Sequence, residues 1–207
     1  MKKEIHTEEF FIASIDLLGA KQLIMNDIQD EHLNRINSTY MSWKNAKEYE
    51  EFNNIEIKFF SDNIVAAIKT TSPTALDNLL KYVSIMSKYF LRRGYKPRGG
   101  ICKGNFFLNN LFTWGEGLVR AHILESEVAN YPRIVLDNNI LQYASERIKN
   151  QMIATDTDGI TYLNYIQAYG DSHDGRLELI NETEKWLIPE INLQIQNSEN
   201  KFGDEAK

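Results

Sequence analysis

The sequence predicts an α+β protein with a ferredoxin-like βαββαβ core, followed by additional C-terminal strands and a helix. Short apolar runs that suit buried strands alternate with longer stretches whose apolar residues recur at helical spacing. Their order is strand, helix, two strands, helix, strand, which is the split βαβ plan. The chain has 207 residues, 43% of them apolar, so we expect one domain with a short appendage.

The first half of the core is predicted from apolar runs that are separated by polar turns. Residues 9–16 are apolar or small at nearly every position and predict a buried strand, and residues 20–50 have the apolar spacing of a helix. Residues 55–60 and 64–68 are rich in Ile, Val and Phe. The polar residues 61–63 between them favour a turn, so this segment predicts a hairpin.

The second half of the core begins with a helix between Pro73 and Gly94, because proline favours the first turn of a helix and glycine its end. A strand over residues 98–107 and a return strand over 111–114 are predicted next. Residues 109–110, both Asn, form the turn between them.

The remaining pattern extends the sheet beyond this core. We expect a helix over residues 115–129, a strand over 132–137, a helix over 138–150 and two short strands near 152–154 and 159–163. A polar, helix-prone tail follows from about residue 182. We therefore divide the chain into a main domain, 1–166, and a C-terminal helical extension, 167–207.

Composition excludes several function classes. The net charge of −6 disfavours a broad nucleic-acid surface, which needs clustered Lys and Arg, so we expect no nucleic-acid partner. Cys102 is the single cysteine, which leaves no internal disulfide framework and no zinc-type spacing. No apolar run has the length of a membrane span, and the first residues lack the apolar stretch of a signal peptide. We expect no membrane association and a cytoplasmic location.

Two aspartates are the most informative residues of the chain. Asp16 closes the first apolar run, and Asp62 lies between the two apolar runs of the predicted hairpin. On a ferredoxin-like sheet the first strand is central and antiparallel to the third, so the end of strand one meets the hairpin and both carboxylates face one pocket. Two such carboxylates can hold divalent metal over a phosphate. The simpler alternative is that Asp16 caps the following helix and Asp62 serves its turn.

Five segments, in this order, carry a resemblance to a known family. They are 15–19 (IDLLG), 60–63 (FSDN), 98–104 (RGGICKG), 114–125 (WGEGLVRAHILE) and 131–134 (YPRI). In these segments the sequence resembles the class III nucleotidyl cyclases, and within them the bacterial cyclases of the Pycsar anti-phage defence systems, which make cyclic pyrimidine mononucleotides. The resemblance covers most of residues 9–137.

The resemblance implies a metal site, a substrate and an assembly. Asp16, the backbone carbonyl of Leu17 and Asp62 would bind two Mg²⁺ or Mn²⁺ ions, which help the ribose 3′-oxygen of a nucleoside triphosphate to attack the α-phosphate and expel pyrophosphate. Sites of the family form at a head-to-tail homodimer interface. We therefore expect a homodimeric cyclase that converts UTP, or alternatively CTP, to the 3′,5′-cyclic monophosphate.

The sequence also departs from the family pattern. Val119 stands where adenylate cyclases have a ribose-orienting Asn, and Ile123 stands where they have a transition-state Arg. Another cation must then meet the charge that develops on the phosphates. Arg98 and Arg133 are the catalytic candidates for this role, and surface ion pairs are the alternative for each.

The remaining substrate contacts are also expected from the resemblance. Lys58 matches a base-reading Lys, but its usual Asp partner corresponds here to Phe112, which favours a base other than adenine. Gly19, Thr113 and Arg120 are the other expected substrate-binding residues.

Two rival functions stay open on the sequence. A catalytically silent cyclase-like module that binds a nucleotide or a partner protein fits the missing Asn and Arg. A relative of the polymerase palm is a weaker alternative, because it would have two adjacent carboxylates after strand two, where this chain has Asp62 alone.

Overall fold

One twisted sheet is the framework of the protein in the computed structural model, which describes residues 6–21, 24–25, 40–41, 44, 52–167, 179–185, 187–189 and 191–192. Its strands are β1 (Glu8–Leu18), β2 (Glu56–Phe60), β3 (Asn63–Lys69), β4 (Lys96–Leu108), β5 (Thr113–Trp114), β6 (Ile134–Leu136), β7 (Ile153–Thr155) and β8 (Thr161–Leu163). The α-helices between residues 75 and 152 are α1 (Ala75–Leu91), α2 (Glu116–Ile123) and α3 (Glu146–Met152).

The strand order is β2-β3-β1-β4-β6-β8-β7, and β5 pairs with β4 beside this path. Its first four strands are antiparallel to their neighbours, with β1 between β3 and β4, as in a ferredoxin-like core. β6 adds to β4 in parallel, and the β7–β8 hairpin completes the sheet. The predicted α+β fold and its C-terminal strands are confirmed.

Alternation along β1 separates two apolar layers. Phe11, Ala13 and Ile15 point into the larger core, where α1 packs. Phe10 and Ile12 point to the opposite face, into a smaller cluster beneath α2. The smaller layer leaves part of its face of the sheet uncovered, and the candidate site lies on this face.

Glycines allow α2 to lie directly on β4. A Cβ on Gly104 would stand 2.6 Å from the Cα of Gly117, and a Cβ on Gly100 would stand 2.4 Å from the carbonyl oxygen of Ala121. Real side chains do not approach backbone this closely. The helix therefore runs back along β4, from Glu116 beside Asn105 to the residues beside Gly100.

Most predicted elements of the core are present. The hairpin of β2 and β3, the turn after β4, and α1 with Gly94 beyond its end at a φ of 82° match the expected positions. The predicted helix over 20–50 lies mostly outside the described residues, and those described within it are helical. In the described residues no helix combines the length and the apolar character that crossing a bilayer requires.

One helical prediction needs correction. The stretch 138–150 is not one helix, because a 3₁₀ helix over Asn138–Tyr143 ends before Ser145, which caps α3 by accepting a hydrogen bond from the amide of Ile148 at 3.3 Å. Serine favours this extended cap position over the interior of a helix. The described residues of the predicted helical tail, from Leu179 onward, are helical, and Leu179 is buried in the larger core.

Candidate active site

Asp16 and Asp62 are neighbours on one edge of the sheet. Asp16 lies inside β1, two residues before its end, and pairs in register with Asn63 of β3. The amide of Leu17 donates to the carbonyl oxygen of Asp62 at 3.0 Å, which ties the β2–β3 turn to β1. A strand residue points its N–H and C=O to the same side. The Leu17 carbonyl therefore faces this turn as well.

Electrostatics show that the two carboxylates interact. Burial raises the pKa of the Asp16 carboxyl above its ordinary value, and the neighbouring Asp62 carboxylate raises it further, whereas the Arg98 guanidinium opposes both. Two carboxylates that repel each other can both be stabilised by a divalent cation. Asp16 is not at the helix-cap position that the sequence left open, since β1 continues to Leu18 and helical residues begin at Ala20. Its side chain pairs with Arg98 on β4.

Arg98 links this pair to a buried carboxylate. Its Nη2 donates to Asp16 Oδ2 at 3.3 Å and to Glu125 Oε1 at 2.6 Å. Glu125 also contacts His122, with Nδ1 and Oε2 3.0 Å apart. Arg98 thus contacts two carboxylates, and Asp62 interacts with one of them, so these side chains together carry excess negative charge before any metal binds.

The residues at this edge suit Mg²⁺ or Mn²⁺. In the described part of the chain no group of three or more His, Cys, Asp or Glu side chains could hold a metal ion. Mg²⁺ is typically held by one or two carboxylates together with water and substrate phosphates. Asp16, Asp62 and the Leu17 carbonyl supply such a partial set, which substrate phosphates would complete.

Arg133 has a different environment. It is buried, and its guanidinium donates to Asp156 Oδ2 at 3.2 Å, to Asp158 Oδ2 at 2.7 Å and to the carbonyl of Val128 at 3.3 Å. Both aspartates belong to the turn between β7 and β8. Arg133 thus holds this turn against the sheet.

Lys58 shares the uncovered face with Asp16. It pairs with Val65 of β3, which pairs with Ser14 of β1, one pleat from Asp16. Lys58 is partly exposed, so its ammonium can reach a ligand that lies on this face. Gly19 follows β1 with a φ of 79°, a backbone conformation that favours glycine.

In a single chain, Thr113 and Arg120 do not lie beside Asp16. Thr113 pairs with Leu108, ten positions along β4 from Arg98, a strand length of roughly 30 Å. Arg120 bonds the carboxylate of Asp137 and the carbonyl of Lys103. It lines a groove of about 490 Å³ between α2 and the segments that follow β6 and precede β8.

Apolar side chains occupy the outer face of α2. Val119 and Ile123 lie one turn apart and both are exposed, and Trp114 is exposed just before the helix. Phe112 contacts Phe107 and is also exposed. Val119, Ile123 and Phe112 have no hydrogen-bond donor to offer a phosphate, and Trp114 has its indole N–H alone.

Sequence reasoning missed Glu125 as part of the site. The available signal was its position four residues after Ala121, on the helix face that packs on the sheet. A glutamate on a buried face requires a partner, but the sequence does not say which cation supplies it. Cys102 is buried in the smaller apolar cluster, and burial raises the pKa of its thiol to about 12.

Comparison with solved structures identifies the fold. The adenylyl cyclase CyaB from P. aeruginosa superposes with a TM-score of 0.58 at 14% identity, over 83% of this chain and 99% of that one. The guanylyl cyclase Cya2 matches with a TM-score of 0.55 at 11% identity, over 78% and 93%. A class III adenylyl cyclase-like ATP-binding protein from Pseudomonas aeruginosa matches with 0.52 at 8%, over 84% and 40%. No family model and no curated protein sequence matches the chain.

Proposed function

We propose that this chain is a nucleotidyl cyclase that converts a pyrimidine nucleoside triphosphate, with UTP favoured and CTP possible, to its 3′,5′-cyclic monophosphate and pyrophosphate. The chain has the fold of class III adenylyl and guanylyl cyclases. The observation that carries the proposal is the adjacency of Asp16 and Asp62 at the end of the central strand, because this is where the resemblance expects the metal ligands.

In this reaction the two aspartates would act through bound metal ions. Asp16, Asp62 and the Leu17 carbonyl would hold two Mg²⁺ or Mn²⁺ ions and through them the triphosphate. When bound, the ions would favour loss of the proton of the 3′-hydroxyl and neutralise the phosphates. The bond from the 3′-oxygen to the α-phosphorus forms as the bond to pyrophosphate breaks.

Arg98 is the first candidate for the cation that meets the developing charge. It already contacts Asp16 and retains partial exposure, so its guanidinium can turn toward a phosphate at the same edge. Arg133 is the second candidate, although two aspartates engage it in the ligand-free chain. Fixed donors of this type typically contribute a factor of about 10² to 10³ in turnover.

The same geometry supports a homodimer. Thr113 and Arg120 lie far along β4 from Asp16 in one chain, and a head-to-tail pair would bring these residues of one protomer to Asp16 of the other. The exposed apolar residues of α2 would be covered in such a pair. We expect a dimer that buries at least about 1,000 Å² in total. An active monomer in light scattering at micromolar concentration would contradict this assembly.

The decisive experiment uses purified protein, Mn²⁺ and each of the four common nucleoside triphosphates, with products resolved by mass. We expect cyclic UMP and pyrophosphate from UTP. Asp16→Asn and Asp62→Asn should each lower product formation by at least about a thousandfold, because each removes a charge that holds metal. Glu146→Gln, an exposed carboxylate on α3, is the matched control.

Thermal unfolding of the same variants separates loss of function from loss of fold. Wild-type turnover in either aspartate variant would exclude the two-metal mechanism. The product of the wild-type chain decides the base, and a cyclic pyrimidine nucleotide would support a signalling role in anti-phage defence.

A silent nucleotide-binding module is the second candidate function. The observation in its favour is that Val119 and Ile123 put exposed apolar side chains where the resemblance expects an Asn and an Arg. This alternative predicts nucleotide binding by calorimetry without conversion of any of the four triphosphates.

A further inference from the structure

Glu125 is a buried carboxylate with two defined partners and no assigned role in the proposed reaction. Its side chain is 3% exposed. Oε1 accepts from Arg98 Nη2 at 2.6 Å, and Oε2 lies 3.0 Å from His122 Nδ1. A carboxylate that loses its hydration this completely is disfavoured unless it is paired and hydrogen-bonded. The arrangement therefore depends on Arg98.

The backbone around Glu125 is built to deliver this side chain. Glu125 belongs to a π-helical turn, Leu124–Val128, in which the amide of Ala129 donates to the carbonyl of Leu124 at 2.9 Å. Such turns are rare and occur frequently at functional sites. The turn reaches β4 because Gly100 has no side chain, since a Cβ there would stand 2.4 Å from Leu124 Cβ and 2.9 Å from the Glu125 amide.

Arg98 is shared unequally between its two carboxylates. The contact with Glu125 is 2.6 Å and that with Asp16 is 3.3 Å, so Glu125 is the closer acceptor. A divalent cation on Asp16 would repel the guanidinium. With Glu125 as its anchor, Arg98 can release Asp16 without leaving the edge of the site.

We propose that Glu125, supported by His122, is a positioning residue that holds Arg98 beside Asp16, so that Asp16 can bind a divalent cation while the guanidinium stays in reach of the substrate. The part of this inference that concerns the substrate rests on the proposed function. The part that concerns the cation does not, because it can be measured without nucleotide or turnover.

Arg98 donates to two carboxylates in the described part of the chain, those of Asp16 and Glu125. If Glu125 loses its charge, Asp16 is the charged group that is left to accept from Arg98. Arg98 then competes directly with a metal ion for Asp16. Removal of Arg98 as well should end that competition. The inference therefore predicts a loss of metal affinity in the single variant and its recovery in the double variant.

The test is a Mn²⁺ titration of the full chain without nucleotide, followed by electron paramagnetic resonance of the free ion. We expect Glu125→Gln to weaken Mn²⁺ binding by at least about tenfold. The double variant Glu125→Gln/Arg98→Gln should bind Mn²⁺ at least as tightly as the wild-type chain. Glu127→Gln, an exposed glutamate of the same turn, is the matched control and should leave the affinity unchanged.

Two results would overturn the inference. One is wild-type Mn²⁺ affinity in folded Glu125→Gln, and the other is a double variant that binds as weakly as the single variant. If Glu125→Gln does not fold, His122→Gln carries the test, because His122 is 61% exposed and its loss removes the contact that orients the Glu125 carboxylate toward Arg98. Weaker Mn²⁺ binding by His122→Gln would support the inference, and unchanged binding would overturn it.

The two proposals fail separately. If the wild-type chain converts no triphosphate but the single and double variants show the expected loss and recovery of Mn²⁺ affinity, the proposed function fails and the positioning role stands. If the chain is an active cyclase and the variants bind Mn²⁺ like wild type, the positioning role alone fails. A wild-type chain that binds no Mn²⁺ in the millimolar range overturns the positioning role.

Discussion

Arg98 on β4 and Arg133, just before β6, are each paired with two carboxylates, but the burial of the arginine and of its partners is reversed between them. β4 and β6 run in parallel with Gly99 opposite Ile134, so Arg98 and Arg133 lie side by side at one edge of the sheet. Each guanidinium contacts two carboxylates. The chemistry of the two clusters is alike.

Burial falls on different partners in the two clusters. The Glu125 side chain is 3% exposed and the Arg98 side chain is 23% exposed. The Arg133 side chain is 6% exposed and those of its two aspartates are 42–43% exposed. A buried anion leaves its cation accessible to a ligand, whereas a buried cation serves to anchor the groups that cover it. Arg98 is therefore suited to the site, and Arg133 is suited to holding the β7–β8 turn.

The largest expected effect comes from comparing Arg98→Ala with Arg133→Ala. Arg98→Ala should lower turnover about a hundredfold or more, because it removes charge stabilisation in the transition state. Arg133→Ala should lower the free energy of unfolding by about 2 kcal/mol, because it breaks several charge-assisted hydrogen bonds, and it should affect turnover less. Turnover assays and thermal unfolding of both variants measure the difference. The reverse pattern would make Arg133 the catalytic cation.

Gly100→Ala should disturb the Arg98 cluster selectively. The new Cβ would stand 2.4 Å from Ala121 O and from Leu124 Cβ, so the turn that carries Glu125 must move away from β4. We expect a loss of about 2 kcal/mol in the free energy of unfolding, as in other overpacked cores, together with reduced turnover. Chemical denaturation measures the loss. Stability equal to wild type would show that α2 is not held against β4 as described.

Asp158→Asn should give the smallest effect, one that depends on pH. The hydrogen bond from Arg133 lowers the pKa of the Asp158 carboxyl, so the ionised form stabilises the folded chain. This contribution is complete above the ordinary pKa of 3.8 and is lost as the pH falls through the lowered value. The variant should melt slightly below wild type near pH 7, and the difference should disappear in strong acid. A difference that grows on acidification would contradict the pairing.

The positions of Asp16 and Asp62 were predictable because they follow from local pattern and topology together. Alternating and continuous apolar runs identify the strands, and the ferredoxin-like order brings the end of β1 to the β2–β3 turn. The division of residues 138–150 into two helices was harder to predict from the sequence. Helical spacing of apolar residues continues across Ser145, whereas the preference of serine for the cap position favours a new helix there.

The sequence by itself determined the order of the elements, the α+β fold and the meeting of the two aspartates, since these depend on residue spacing along the chain. The tertiary structure alone decided that Arg98 meets Glu125, 27 positions further along the chain, and that Arg133 meets the aspartates of the β7–β8 turn. Such contacts depend on how closely a helix approaches a strand and on which side chains share an edge of the sheet. A distance of a few ångströms between elements separates an ion pair from two solvated charges, and no periodicity in the sequence encodes that distance.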